Sequence, residues 1–238
     1  MARLRPRHLI RWLIGGVAAL AVLVIAGTWL YIHVIEGPAP APLSLRSGSL
    51  PATGAGTAAA AASGPVGGQW RVAPGSVVGY RVQEVLAGQN NIAVGRTGKI
   101  SGGMTISGTT VTAASFTVQM ATIHSDQSAR DAQFDGRIMD TASYPTGTLT
   151  LSEPVSVGAL PPENVVQSYQ ATARLTLHGH TRLVAFNMQA LRTGSGIEVS
   201  GSISVVFSDY GIANPSIPGF ATTQDHGLLE FLVKFSRT

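Results

Sequence analysis

From Trp70 to the C-terminus, apolar and polar residues alternate in short runs that are separated by Gly, Ser, Thr, Asn and Pro. In residues 197–205, for example, Ile or Val alternates with Glu or Ser on either side of Gly201, where the chain can bend. Because successive side chains of a strand point to opposite faces, this pattern indicates strands that bury one face. The eight or nine strands predicted here indicate an all-β barrel or sandwich. The predicted strands are 70–73 and 77–86, which can form one bent strand, 92–107, 110–123, 146–153, 166–177, 181–192, 197–208 and 228–236.

One segment departs from this alternation. Between Gln127 and Met139, a spacing of three to four residues, typical of a helix, recurs at Arg130, Phe134, Arg137 and Ile138. Asp126 is placed to cap its start. The sequence therefore predicts one short helix within the β domain.

The N-terminal region is strongly apolar. Residues 12–35 contain no Asp, Glu, Lys or Arg over 24 positions, enough for about 36 Å of helix against a hydrocarbon core of about 30 Å. Four arginines precede it, so the positive-inside rule places residues 1–11 in the cytoplasm and the C-terminal domain outside it. The resulting prediction is a single-pass protein of the cytoplasmic membrane. The alternative is a signal peptide cleaved near residues 39–41, but this stretch exceeds the usual 7–15 apolar residues of such peptides.

Residues 37–69 have the composition of a linker. Of these 33 residues, 25 are Ala, Gly, Pro or Ser, and none is aromatic. As a flexible coil they would let residues 70–238 move roughly 30 Å from the helix. We therefore expect a spacer without specific contacts.

Charge and cysteine content exclude several functions. The chain carries a formal charge of +4, but residues 70–238 carry 11 basic and 11 acidic side chains, and only two of the basic ones are lysines. A protein that binds nucleic acid needs clustered basic residues, so we do not expect this chain to bind nucleic acid. Without cysteine, the chain has no disulfide, thiolate metal site or cysteine nucleophile.

Several segments, taken in order, resemble one known family. They are Trp70–Val78 before a long strand, Ser128–Asp131, Tyr144-Pro145, Leu175–Arg182 with its Leu-Thr-x-His-Gly-x-Thr-Arg pattern, and Ser208–Gly211. Together they resemble the YceI-like family over essentially all of residues 70–238. The resemblance implies an eight-stranded antiparallel, lipocalin-like barrel with an elongated apolar cavity. It also implies binding of a polyisoprenoid or another long-chain amphiphile, mostly outside the cytoplasm.

The residues themselves allow an open or a filled barrel. An eight-stranded barrel holds a slender ligand only when some inward side chains are small. Small residues occur at Gly103, Ala114, Ala171, Ala173 and Ala185, although apolar strand faces ordinarily pack against each other. If the barrel is open, the predicted lining is Tyr80, Phe116, Met120, Tyr144, Tyr169, Phe186, Phe207 and Phe231.

The densest charged stretch of the domain coincides with the predicted helix. Arg130 and Asp131 lie there among Asp126, Asp135 and Arg137. One interpretation is a solvated helix face. The other is a helical lid over the barrel mouth, locked by Arg130 and Asp131, with Arg130 available to a ligand head group.

Histidines raise the question of a metal or catalytic site. His178 and His180 flank Gly179, and with His124, His226 or Asp225 they form a candidate metal site. Since Gly179 indicates a turn and no third ligand is specified, we favour a hairpin with one hydrogen-bonded histidine and predict no metal or cofactor.

Catalysis has no specific support in the sequence. The adjacent residues 124–126, His-Ser-Asp, cannot converge as a catalytic triad, and no Gly-x-Ser-x-Gly motif occurs. The leading hypothesis is therefore a non-enzymatic, membrane-tethered, extracytoplasmic lipid-binding barrel. The alternatives are an envelope interaction module with a filled core, which binds a protein or polymer through its loops, and a metal-dependent enzyme that uses His178 and His180.

Overall fold

The computed structural model describes residues 6–30, 39–45, 66–86, 88–158, 163–194, 196–219 and 221–238. These residues form helix α1 (Pro6–Leu30) and helix α2 (Ser128–Gln133), which continues into a π turn at Phe134–Ile138. The strands are β1 (Gly68–Val72), β2 (Val77–Leu86), β3 (Gln89–Thr97), β4 (Ile100–Ser107), β5 (Thr110–Gln119), β6 (Thr146–Leu151), β7 (Val155–Ser156), β8 (Val166–Leu177), β9 (His180–Thr193), β10 (Gly196–Val206), β11 (Ala221–Thr223) and β12 (His226–Arg237).

The strands form a closed antiparallel barrel. Its order is β1, β4, β5, β6, β8, β9, β10 and β12, and β12 pairs with β1 to close the ring. β2 continues the path of β1 along β12, since Trp70 pairs with Arg237 and Val78 pairs with Phe231. β3 pairs with β2 and extends β4 in the same way. The predicted eight-stranded antiparallel barrel with a bent first strand is therefore confirmed.

Alternation places apolar residues inside the barrel. On β12, Phe231, Val233 and Phe235 are buried in the core, and the residues between them face the outer wall. β10 runs through Gly201 without a shift in register against β12, and its pairing with β9 ends at this residue. A Cβ at Gly201 would lie 2.7 Å from Cζ of Phe231, so the glycine makes room for that ring.

The predicted helix over residues 127–139 forms in two parts. α2 changes into a π turn, in which the N–H of Met139 donates to the carbonyl of Phe134 at 2.9 Å. The predicted cap is wrong: Gln127 occupies the N-cap position and makes no side-chain capping bond. Asp126 instead accepts a hydrogen bond from Arg130 at 2.5 Å, because the guanidinium competes for the carboxylate.

The N-terminal helix is present as α1. Among the described residues, no helix combines the length and apolar character that crossing a membrane requires. The predicted transmembrane helix over residues 12–35 is therefore not confirmed, and residues 31–35 lie outside the described part.

Part of the predicted linker lies on the barrel. Leu45 is 2% exposed and packs in a cluster with Leu191 and Leu232. The expectation that residues 37–69 make no specific contacts is thus wrong for residues 39–45, and also for residues 66–69, where Val66 is buried and β1 begins at Gly68. For residues 37–38 and 46–65, which lie outside the described residues, the linker remains a prediction.

Candidate functional site

The barrel encloses a cavity of about 330 Å³. Its wall is almost entirely apolar and draws residues from every strand from β2 to β12. Space remains because inward positions such as Ala114, Ala171 and Ala173 carry only a methyl group. This cavity contradicts the alternative in which the barrel core is filled.

Most of the predicted ligand-binding residues meet in this cavity. The wall includes Tyr80, Phe116, Met120, Arg130, Tyr169, Phe186, Phe207 and Phe231. Their position follows from the alternation: Met188 and Phe186 on β9 face inward, whereas Asn187 between them is exposed. Their contact with a ligand stays a prediction.

Tyr144 is the exception. It is absent from the cavity wall, and its ring centroid lies 4.3 Å from that of His178. Tyr144 follows a turn before β6, so the alternation of a strand does not determine its direction. The prediction that it lines the cavity is wrong.

Two of the small residues also lie elsewhere. Gly103 and Ala185 are outside the cavity wall because their neighbours Met104 and Phe186 take the inward positions. Gly103 instead permits a close approach of β1, since a Cβ there would lie 2.2 Å from the carbonyl oxygen of Trp70.

One end of the cavity is covered by α2 and the π turn. Phe134 is buried, and its ring stacks on that of Tyr80 with 5.2 Å between centroids. Burial raises the pKa of Tyr80, and the nearby Arg130 opposes this only in part. The Tyr80 hydroxyl therefore remains protonated at neutral pH.

Asp131 fastens this lid to the barrel. Its carboxylate accepts hydrogen bonds from the N–H of Ser125 at 2.8 Å and from the Ser125 hydroxyl at 2.7 Å. The imidazole of His124 lies 3.2 Å from its second oxygen. Burial acts to raise the pKa of Asp131, but the bonds from Ser125 and His124 prevail and lower it. The predicted locking role of Asp131 agrees with this geometry.

A few polar groups interrupt the apolar wall. Glu84, Arg130 and Thr223 border the cavity at the α2 end, and the Arg130 guanidinium lies 3.5 Å from Glu84 and 2.5 Å from Asp126. The Thr223 hydroxyl is buried and makes no hydrogen bond to any described residue. A ligand with a polar end therefore finds donors and acceptors at this end.

The opposite end holds one further charged group. Arg192 borders the cavity near the β9–β10 hairpin and pairs with Glu163 at 3.3 Å. Sequence reasoning missed Glu84, Thr223 and Arg192. The alternation contains a usable indication for Arg192, because it has the same parity as Met188 on β9.

The histidines form a hairpin turn. His178 has a φ of +47°, and Nδ1 of His180 lies 2.9 Å from the His178 carbonyl oxygen. Nδ1 of His178 lies 3.3 Å from the carbonyl oxygen of Tyr210. Among the residues with described positions, no group of three or more His, Cys, Asp or Glu side chains is arranged to hold a metal ion.

A family model for the YceI-like domain matches residues 70–235. Among solved structures, a polyisoprenoid binding domain from Saccharophagus degradans, implicated in plant cell wall breakdown, is 15% identical with a TM-score of 0.58 over 71% of this chain and 98% of that one. BcnA from Burkholderia cenocepacia is 17% identical with a TM-score of 0.50 over 65% and 95%. At these identities, the structural likeness establishes the fold alone. No curated protein sequence matches the chain.

Proposed function

The chain belongs to the YceI-like family, and from that membership we propose that its barrel is a non-enzymatic binding domain for a long-chain amphiphile, a polyisoprenoid or a similar lipid. The observation that carries the proposal is the apolar cavity of about 330 Å³ inside the barrel. A binding function for polyisoprenoid in the Saccharophagus degradans domain supports the ligand class.

The affinity would come from burial of the ligand's chain. Each methylene removed from water contributes about 0.8 kcal/mol, so a partly enclosed prenyl or acyl chain binds without any charged partner. Tyr169, Phe186 and Phe231 are among the aromatic residues of the wall. The polar groups at the α2 end then orient the ligand, with its head group near Arg130 and Thr223.

Two neighbouring alanines give a sharp test. Ala114 borders the cavity, whereas Ala113, next to it on β5, is exposed on the outer wall. The full chain would be made in a host that synthesises isoprenoids, kept in detergent, and measured by native mass spectrometry and organic extraction. We expect a lipid adduct in the unchanged protein and in Ala113→Phe, and a strongly reduced one in Ala114→Phe.

Two results would count against the proposal. One is an unchanged protein that carries no lipid and takes up no added isoprenoid or fatty amide. The other is an adduct of equal yield in both variants, which would place the lipid outside the barrel. In the second case, binding through surface loops becomes the better explanation.

We also propose that the barrel works outside the cytoplasm, close to a membrane. The support is the arrangement of the sequence, with four arginines before an uncharged apolar stretch, together with the exposed apolar side chains of α1. The chain lacks cysteine, so Arg174→Cys on the outer wall gives one labelling site. We expect a membrane-impermeant maleimide to label it in intact cells. Labelling only after lysis would contradict this location.

A further inference from the structure

Residues 39–45 occupy a binding site on the outer wall of the barrel. Leu45 is buried against Leu191 of β9 and Leu232 of β12, with Leu43 packed beside them. Leu191 and Leu232 are outward positions, because their neighbours Arg192 and Phe231 border the cavity. An outer wall that faced only solvent would not need these buried leucines.

Charged groups hold the other half of the segment. Glu230 is 4% exposed on the outer wall, and its carboxylate lies 2.7 Å from Arg81 and 3.6 Å from Arg96. Two guanidinium groups therefore face one carboxylate. The carbonyl oxygen of Pro40 accepts a hydrogen bond from Arg81 at 2.6 Å, and the carbonyl oxygen of Ala41 accepts one from Arg96. The two carbonyl oxygens therefore accept hydrogen bonds from guanidinium groups that share a single carboxylate.

The segment enters this site beside the base of the lid. Ala39 and Pro40 border a small groove together with His124, Ser125 and Asp126, which directly precede α2. Arg96 joins the two regions: its side chain binds the segment, and its backbone pairs with His124 through bonds of 2.8 and 3.1 Å. The N-terminal end of the segment therefore lies at the α2 end of the barrel.

We propose that residues 39–45 are an intramolecular docking segment that keeps the α2 end of the barrel close to α1. Nine Cα-to-Cα steps separate Leu30 from Ala39, so the connection spans at most about 30 Å. Without docking, 36 steps separate Leu30 from Val66, with a limit of about 120 Å. The predicted linker thus becomes a short tether followed by a loop whose ends are both fixed on the barrel. This inference does not depend on the identity of the ligand.

The absence of cysteine allows a direct measurement. Spin labels at Leu30→Cys and Arg174→Cys, both exposed, report the distance between α1 and the barrel in the full chain in detergent. The docking segment would be released by Leu43→Ser together with Leu45→Ser, which remove its apolar contacts without adding charge. Release lengthens the connection between α1 and the barrel from nine to 36 residues. If this connection behaves as a flexible coil, we expect the mean distance between the two spin labels to rise by roughly 15 Å and the distance distribution to broaden.

Matched controls distinguish release of the docking segment from unfolding of the barrel and from docking of the segment on a second copy of the chain. Leu183→Ser changes an exposed leucine of the outer wall and should leave the distribution unchanged. Circular dichroism should show an intact barrel in every variant, and dilution with unlabelled protein should leave the distances unchanged. The proposal is overturned if Leu43→Ser with Leu45→Ser does not alter the distribution of the folded protein, or if dilution removes the short distances.

Discussion

The rings of Tyr80 and Phe134 are stacked, with centroids 5.2 Å apart and 17° between their planes. Tyr80 belongs to the barrel wall and Phe134 to the π turn, so this pair joins the lid to the cavity that it covers. Asp131 and Ser125 hold the same lid from its other side. The lid is therefore held by apolar and by polar contacts, which substitutions can test separately.

Phe134→Ala should loosen the lid. Removal of a buried Phe side chain costs about 3 kcal/mol of the free energy of unfolding, and here it also ends the stack with Tyr80. We expect lower stability in denaturant and faster amide hydrogen exchange in residues 128–138. Ala132→Ser, at an exposed position of α2, is the control and should have little effect. Unchanged exchange in Phe134→Ala would contradict the role of this ring.

Gly95→Ala should displace Tyr80. A Cβ at Gly95 would lie 2.3 Å from Cε1 of that ring, so the ring or the strand must move. We expect a loss of about 1–3 kcal/mol, the usual range for overpacking, measured as a lower Tm. Gly136→Ala provides the comparison, because nothing lies within 4 Å of its added Cβ. Equal melting temperatures for the two variants would refute the proposed clash.

Asp131→Asn should weaken the polar contact in a pH-dependent way. The folded pKa of Asp131 is below its ordinary value of 3.8, so the charged form stabilises the folded state. This contribution is complete above pH 3.8 and is lost as pH falls through the folded pKa. Urea unfolding should show the gap between Asp131→Asn and the unchanged protein narrowing in acid. A gap that persists or widens in acid would disagree, and Glu153→Gln at an exposed site is the control.

Glu230→Gln should destabilise the outer wall more than a matched exposed substitution. Loss of the buried carboxylate leaves Arg81 and Arg96 without their counter-charge, at a cost of about 3 kcal/mol. Glu198→Gln removes the partner of Lys234 at a more exposed pair and should cost less than about 1 kcal/mol. Chemical denaturation compares the two. Similar losses would mean that Glu230 is effectively solvated.

Tyr169→Asp and Tyr144→Asp should differ in lipid binding. Tyr169 borders the cavity, so an aspartate there would place a charge in the apolar wall. Tyr144 lies against His178 outside the cavity. In native mass spectra, we expect the adduct to disappear in Tyr169→Asp and to persist in a folded Tyr144→Asp. The reverse result would restore Tyr144 to the ligand site.

The β domain could be predicted from sequence because alternation is a local property. Each strand carries its own inward face, so the sequence predicts that Phe186 and Phe231 line the cavity without any knowledge of strand pairing, and both do border it. Alternation gives no information where the backbone leaves the strand. Tyr144 lies between a turn and β6, and Asp126 had two competing partners, the helix N-terminus and Arg130.

Docking of residues 39–45 could not be predicted in this way. The segment is short, rich in Ala and Pro, and has no periodicity, so its own residues resemble a linker. Its position depends on Leu191, Leu232 and Glu230, which are distant in sequence. The available indication lies in the strands: Leu191 and Leu232 are apolar at outward positions, which is typical of a wall that something covers.

The two fixed ends of residues 46–65 have a consequence for engineering. Leu45 is buried on the barrel at one end, and at the other the carbonyl of Val66 accepts a hydrogen bond from the Trp70 indole at 2.8 Å. Doubling the length of a loop that is closed in this way costs only about 0.6 kcal/mol. An epitope tag or a fluorescent domain inserted between residues 46 and 65 should therefore leave the spacing of helix and barrel intact, whereas each residue added between 31 and 38 extends it by up to about 3.4 Å.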